Sequence, residues 1–272
     1  MGTSLHAKGF AQGSESTVHE HLDLFKMANQ TKTPDTQGST AAKAGFGVKA
    51  RGYLALTKPR VIELLLITTL PTMILAQNGL PDLWLVLATL IGGAFSAGSA
   101  NAFNCVYDTD IDKLMGRTKN RPLVTGVFTG REAVVFSTLL GLISVVWLGL
   151  LVNWLASLIS LAALLFYVLI YTMVLKRRTP QNIVWGGAAG AAPVLIGWAA
   201  VTNSLSLVPI AFFMVIFFWT PPHFWALAIK YKDDYSAAGI PMLPSVASRS
   251  NVIGQMWFHT IAMVICSTAL IQ

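Results

Sequence analysis

Apolar, nearly charge-free runs long enough to cross a bilayer recur along this chain, at 61–77, 83–105, 133–152, 155–175, 182–201, 206–229 and 252–272. They leave few folds open. In hydrocarbon every backbone N–H and C=O must find a partner within the protein, so spanning segments are helices or closed barrels, and runs of this length fit helices. The expectation is an all-α polytopic membrane protein, a transmembrane helix bundle with about seven spans visible. With 54% hydrophobic and 11% charged residues, the chain lies far from the soluble average.

Charge sorts the connections between these runs. Lys49, Arg51, Lys58 and Arg60 precede the first run, and Lys113, Arg117, Lys119, Arg121 and Arg131 follow the second. Lys176, Arg177 and Arg178 follow the fourth, and Lys230, Lys232 and Arg249 follow the sixth. The alternate connections at 78–82, 153 and 202–206 hold no Lys or Arg. The positive-inside rule then puts the N-terminus and every basic connection in the cytoplasm. This asymmetry accounts for the net charge of +7 without a nucleic-acid partner.

Residues 1–48 differ in character, being rich in Ser, Thr, Gly and Gln with interspersed acids, and they read as a disordered cytoplasmic tail. They carry no apolar signal-peptide core, and their acids do not suit a mitochondrial presequence. A bacterial plasma (inner) membrane is therefore the expected location. Residues 49–272 form the expected membrane domain. Cys105 and Cys266 are too few and too far apart for a disulfide framework or a zinc site, and both read as packing residues. Gly186, Gly187 and Gly190 read as a small surface for close helix packing.

The second run leads into Asn104-Cys-Val-Tyr-Asp108-Thr-Asp110-Ile-Asp112. At four-residue spacing Asn104, Asp108 and Asp112 share a helix face, and Asp110 points elsewhere. Two carboxylates and an amide converging at a membrane edge repel one another unless a cation sits among them. Hard oxygen ligands suit Mg²⁺, which completes its shell with water and phosphate oxygens, so the substrate implied is a diphosphate. The competing reading is a solvated helix end whose acids pair with nearby Lys and Arg. The chain has only 12 acids in 272 residues, and three of them fall within five positions here, which favours the cation.

A second polar cluster closes the sixth run: Trp219-Thr-Pro221-Pro222-His223-Phe-Trp225, then Lys230-Tyr-Lys232-Asp233-Asp234-Tyr235 and Gly239-Ile-Pro241-Met-Leu-Pro244. Tandem prolines predict a bend or break of the helix beside a cavity. An intramembrane His is a functional candidate by default, with capping of the broken helix as the alternative.

Asn104, Asp108, Asp112 and the Arg117–Pro122 stretch resemble the first aspartate motif of the UbiA superfamily of intramembrane prenyltransferases. Tyr171–Asn182, Thr220–Leu227 and Asp233–Pro244 resemble its heme-farnesylating branch. One position departs from the general pattern: Lys230 stands four residues before Asp234, where a second aspartate is usual. The resemblance implies nine helices around a central cavity, so a chain ending within the seventh run reads as incomplete at its C-terminus.

The resemblance further implies farnesyl transfer from farnesyl diphosphate to the vinyl group of heme B, giving heme O, with heme A synthase as a candidate downstream partner. Asn104, Asp108, Asp112 and Asp234 then hold Mg²⁺, with Tyr235 in the catalytic set. Arg117, Lys119, Arg121, Lys176, Arg177 and Arg178 bind the diphosphate. His223, Lys58 and Arg60 contact heme, although Lys58 and Arg60 read equally as topology-setting charges that Glu63 pairs. Tyr107, Trp225 or Tyr235 shields an allylic cation. Competing readings are another UbiA-type transferase with a different acceptor, an ion-path transporter, and a non-catalytic heme carrier.

Overall fold

The computed structural model describes residues 45–270, which form helices and connecting turns, with no strand among the described residues. Helix α1, Phe46–Thr57, leads into α2, Pro59–Leu66, and α3, Thr69–Gln77. Helix α4 is Leu83–Tyr107, followed by the short α5, Thr109–Leu114. Helix α6, Gly130–Leu151, is followed by α7, Trp154–Leu165, which continues as a π-helical segment, Phe166–Leu175. Helices α8, Asn182–Thr202, and α9, Leu207–Lys230, lead to the short α10, Lys232–Ala237, and α11, Leu243–Val246. The last is α12, Arg249–Thr268. Of the expected tail, residues 1–44 lie outside the described residues, and residues 46–48 already belong to α1.

Five helices among the described residues are long and apolar enough to cross a membrane: α4, α6, α7 with its π continuation, α8 and α9. The chain is a multi-pass membrane protein. Two runs differ from the sequence expectation. The run at 61–77 is split by a turn at Ile67–Thr68, where the Thr68 hydroxyl donates to Leu65 O and Thr72 takes Thr68 O. The last run starts early, at Arg249, and carries Asn251, Gln255 and His259 at four-residue spacing, linked by Gln255 donating to Asn251 and by His259 Nδ1 against Gln255 O.

Local chemistry sets the helix ends. Asp82 and Asn153 accept from the third residue of α4 and α7, and Thr129 with Glu132 closes a capping box on α6. Asn78 and Asn203, both left-handed, terminate α3 and α8.

Between helices, small residues allow close approach and hydroxyls seal the contact. The α4–α6 pair is the most extensive. There Ser99 Oγ donates to Ser137 O at 2.7 Å, Ser144 Oγ to Gly92 O at 2.8 Å and Trp147 Nε1 to Ala88 O at 2.9 Å. Lipid supplies no hydrophobic drive for helix pairing, so such bonds and tight packing hold the bundle together. The outer face of α6, with Leu139, Leu142, Ile143, Val146 and Leu150, is exposed and apolar, as a lipid-facing surface must be.

The tandem prolines do not break α9, which runs unbroken through Pro221 and Pro222. Pro221 cannot donate to Phe217 O, and that carbonyl faces Gly187 of α8, where an added Cβ would lie 3.4 Å away. The neighbouring helix, with no side chain at Gly187, closes over the gap.

The glycines of α8 divide by environment. A Cβ at Gly186 would meet the Tyr171 ring at 2.7 Å and one at Gly197 the Thr69 carbonyl oxygen at 2.8 Å, whereas nothing lies within 4 Å of one at Gly190. Gly197→Ala therefore lowers stability by about 1 to 3 kcal/mol through overpacking against backbone. Gly190→Ala is neutral or raises stability by up to about 1 kcal/mol through helix propensity. Thermal unfolding in detergent micelles checks the pair, and equal effects would contradict the packing described.

Candidate functional site

The site is built around one buried carboxylate. Asp108 is fully buried at the break between α4 and α5, with φ −91° and ψ 8°. Its Oδ2 accepts from Asn104 Nδ2 at 2.7 Å and pairs with Lys176 Nζ. Its Oδ1 is buried and has no hydrogen-bond partner. One helical turn on, Asp112 is 3% exposed and pairs with Arg121 Nη1 at 2.5 Å, while Thr118 Oγ1 donates to the Asp112 carbonyl and closes the loop. The Asn104, Asp108 and Asp112 face expected from four-residue spacing is thus continuous, with Asp112 N bonded to Asp108 O at 2.8 Å across the break.

Cations reach this face from three separate elements. Lys58 sits between α1 and α2 with a left-handed backbone, φ 54° and ψ 67°. A non-glycine residue held there stores about 1 to 3 kcal/mol, which the surroundings must outweigh. The turn aims its Nζ at Asn104 Oδ1, 2.7 Å away, and burial lowers the ammonium to about 8 by disfavouring the charged form. Lys58 therefore joins the aspartate face.

Lys176 follows directly on the π segment, and its N–H bonds to Tyr171 O five residues back. Widening the helix there turns Thr172 toward Asn104, 3.4 Å away, and brings Lys176 onto Asp108. Asn182 Nδ2 donates to the Lys176 carbonyl at 3.2 Å and fixes that exit.

Arg177 is engaged otherwise. It grips Asp110 with two bonds at 2.7 and 2.8 Å, caps Tyr107 O at 2.9 Å and stacks over the Tyr107 ring at 4.7 Å. Its guanidinium holds the Asp110 carboxyl below the usual carboxylate range. Asp110 and Arg177 line a cavity of about 200 Å³ with Ile111, Leu114 and residues 238–240.

The other expected site residues scatter. Arg117 lies over the Tyr231 ring at 5.8 Å, tying the aspartate loop to the start of α10. Lys119, Arg178 and Arg60 are exposed, and no ion pair joins Glu63 to Lys58 or Arg60. Asp234 is half-buried in the first turn of α10. Among the described residues no three carboxylate, imidazole or thiol groups gather closely enough to hold a metal ion by themselves. His223 is exposed, stacked on Trp219 at 4.4 Å with its edge toward Phe224, and caps no helix break.

The expected cation-shielding rings are committed elsewhere. Trp225 is fully buried in an apolar cluster with Ile111, Met115, Ile240 and Met242, and Tyr235 packs against that cluster. Tyr107 carries Arg177 and donates to Met173 O. Tyr167 and Tyr171 pair with ring centroids 5.2 Å apart on the π segment that delivers Lys176 to Asp108. Their four-residue spacing was the signal, hidden because an apolar run reads as lipid-facing. Cys105 packs in a core with Leu56, Ala102, Phe128 and Ala133.

Asp108 Oδ1, buried, without a hydrogen bond and 3.8 Å from Arg177 Nη2, is the kind of oxygen a divalent cation satisfies. Two carboxylates and an amide, with substrate and water oxygens, make a set that fits Mg²⁺. Removing Lys176 while keeping Asp108 leaves a buried charge short of its partner. Lys176→Met is therefore expected to lower unfolding stability by about 2 to 3 kcal/mol, and Asp108→Asn/Lys176→Met by less. Denaturant unfolding in micelles reads the difference, and a double variant worse than Lys176→Met would contradict the pairing.

The model of the UbiA prenyltransferase family matches residues 65–272. A protoheme IX farnesyltransferase of Clavibacter michiganensis subsp. michiganensis is 60% identical over 227 residues, covering 84% of this chain and 74% of the relative. One from Renibacterium salmoninarum is 57% identical over 247 residues, covering 91% and 78%. Among solved structures, a UbiA homolog from Archaeoglobus fulgidus bound to DMAPP and Mg²⁺ superposes with a TM-score of 0.63 at 22% identity, over 80% of this chain and 77% of that one.

Proposed function

Since this chain belongs to the UbiA prenyltransferase family, we propose that it transfers a farnesyl group from farnesyl diphosphate to the vinyl group of heme B, giving heme O and diphosphate. The relatives at 57 to 60% identity bear the name of that activity. The observation that carries the chemistry is the buried Asp108, with one oxygen that takes no hydrogen bond, on a face met by cations from three elements.

Mg²⁺ bound at Asp108, Asp112 and Asn104 would neutralise the diphosphate and favour its departure. Asp234, carried by α10 across the shared apolar cluster, is assigned to the same cation from the opposite loop. Lys176 and Arg121, now paired with the two aspartates, are placed to exchange onto phosphate oxygens as the carboxylates are drawn to the cation, and Lys58 joins them. Arg117 and Lys119 on the same loop, and Arg178 beyond the π segment, add positive potential at the entrance.

Loss of the diphosphate leaves an allylic carbocation, which survives only where water is scarce and aromatic faces are near. Tyr167 and Tyr171 supply those faces. The vinyl carbon of heme attacks, and water completes the hydroxyethylfarnesyl side chain. His223, on its aromatic shelf with Trp219 and Phe224, is assigned to heme iron and Arg60 to a propionate. The polar face then lies on the cytoplasmic side of a bacterial plasma membrane, with the product upstream of heme A synthase.

Membranes carrying the protein, supplied with heme B, farnesyl diphosphate and Mg²⁺, are expected to form heme O. Asp108→Ala should reduce the rate at least about 100-fold, since loss of even an outer-shell partner of a metal site costs about 10- to 100-fold. His223→Ala should raise the heme KM more than that for the diphosphate. Chromatography of extracted hemes is the measurement, and a protein that binds heme yet yields no prenylated product would sink the assignment.

A further inference from the structure

Asp110 stands off the catalytic face, yet two nitrogens of one guanidinium bind it, at 2.7 and 2.8 Å. Arg177 Nη2, which donates to Asp110 and to Tyr107 O, lies 3.8 Å from Asp108 Oδ1, outside hydrogen-bond distance, and that oxygen is the one with no partner. A buried carboxylate oxygen without a donor attracts any cation that can reach it. Arg177 needs less than about 1 Å of movement to do so, and the two bonds to Asp110 together with the Tyr107 stack hold it away.

We propose that Asp110 is a positioning residue whose carboxylate retains Arg177 on the break between α4 and α5 and so keeps Asp108 Oδ1 open for the divalent cation. The pairing does two things with one guanidinium. It caps the last carbonyl of α4 and anchors the first turn of α5, so the break that presents Asp108 keeps its shape. It also neutralises the nearest arginine, leaving Lys176, the preceding residue, as the close cation on Asp108. Arg177 is accordingly a structural clasp and not a diphosphate ligand. The inference rests on the reading of Asp108 as a cation ligand.

Mn²⁺ binding to the purified full chain in micelles, followed by the electron-paramagnetic-resonance signal of the free ion, separates the two readings without any turnover. Wild type, Asp110→Asn and Asp110→Asn/Arg177→Gln are compared, each with a thermal melt to establish that it is folded. With Asp110 neutral, Arg177 swings onto Asp108, so half-saturation is expected to need about tenfold more Mn²⁺, the scale of one recruited partner on a buried acceptor. Removing the guanidinium as well should bring half-saturation back to within about twofold of wild type, or below it. A folded Asp110→Asn protein that binds like wild type, or a double variant no better than Asp110→Asn, overturns the proposal while leaving Asp108 as a ligand. A folded wild-type protein that takes up no Mn²⁺ overturns both.

Discussion

A carboxylate buried at the edge of a membrane bundle is the constraint around which this structure is arranged. Asp108 is fully buried, and an uncompensated charge in such a place would shift to its neutral form or destabilise the fold. The compensation comes from Asn104 one turn before it and from two residues distant in sequence, Lys176 at the exit of the π segment and Lys58 through Asn104. Local departures from regular backbone bring these groups together. The α4–α5 break presents Asp108, the left-handed turn at Lys58 re-aims its side chain, and the π segment carries Lys176 inward. Irregular backbone is costly at membrane depth and persists where neighbouring groups satisfy it.

Beneath this polar layer an apolar cluster joins the two loops that carry chemistry. Trp225 of α9 packs with Ile111 and Met115 of the aspartate loop and with Ile240 and Met242 beyond α10. Shared packing therefore ties both loops to the bundle. A residue that looked reactive in sequence, Trp225, turns out to be the packing element that brings Asp234 and Tyr235 to the same end of the molecule as Asp108.

Arginine and lysine divide their work at this end. Lysine, a compact charge on a flexible stem, sits closest to the carboxylate and can change partner. Arginine, with its planar fork, can hold backbone and carboxylate together, as Arg177 does for the helix break.

How much of this was legible in the sequence follows the range of each interaction. Apolar runs and the alternation of charge specified a helical membrane protein, since both act through the bilayer and need no tertiary partner. The face shared by Asn104, Asp108 and Asp112 was legible because i and i+4 neighbours are fixed by helix geometry alone. The tandem prolines of α9 do not break the helix, because whether a helix breaks depends on what lies against the freed carbonyl, and Gly187 of another helix lets that helix close over it. The same holds for Lys58, read toward heme but folded onto Asn104, and for Tyr167 and Tyr171, half-buried on the π segment that leads to Lys176, a place no apolar count reveals. Sequence by itself determined the helices, their spacing and the identity of the charged groups, because those follow from local periodicity and from transfer into lipid. Only the tertiary structure decided which cation meets which carboxylate and which oxygen is left open, because a buried charge is settled by whichever partner the packing brings within about 3 to 4 Å.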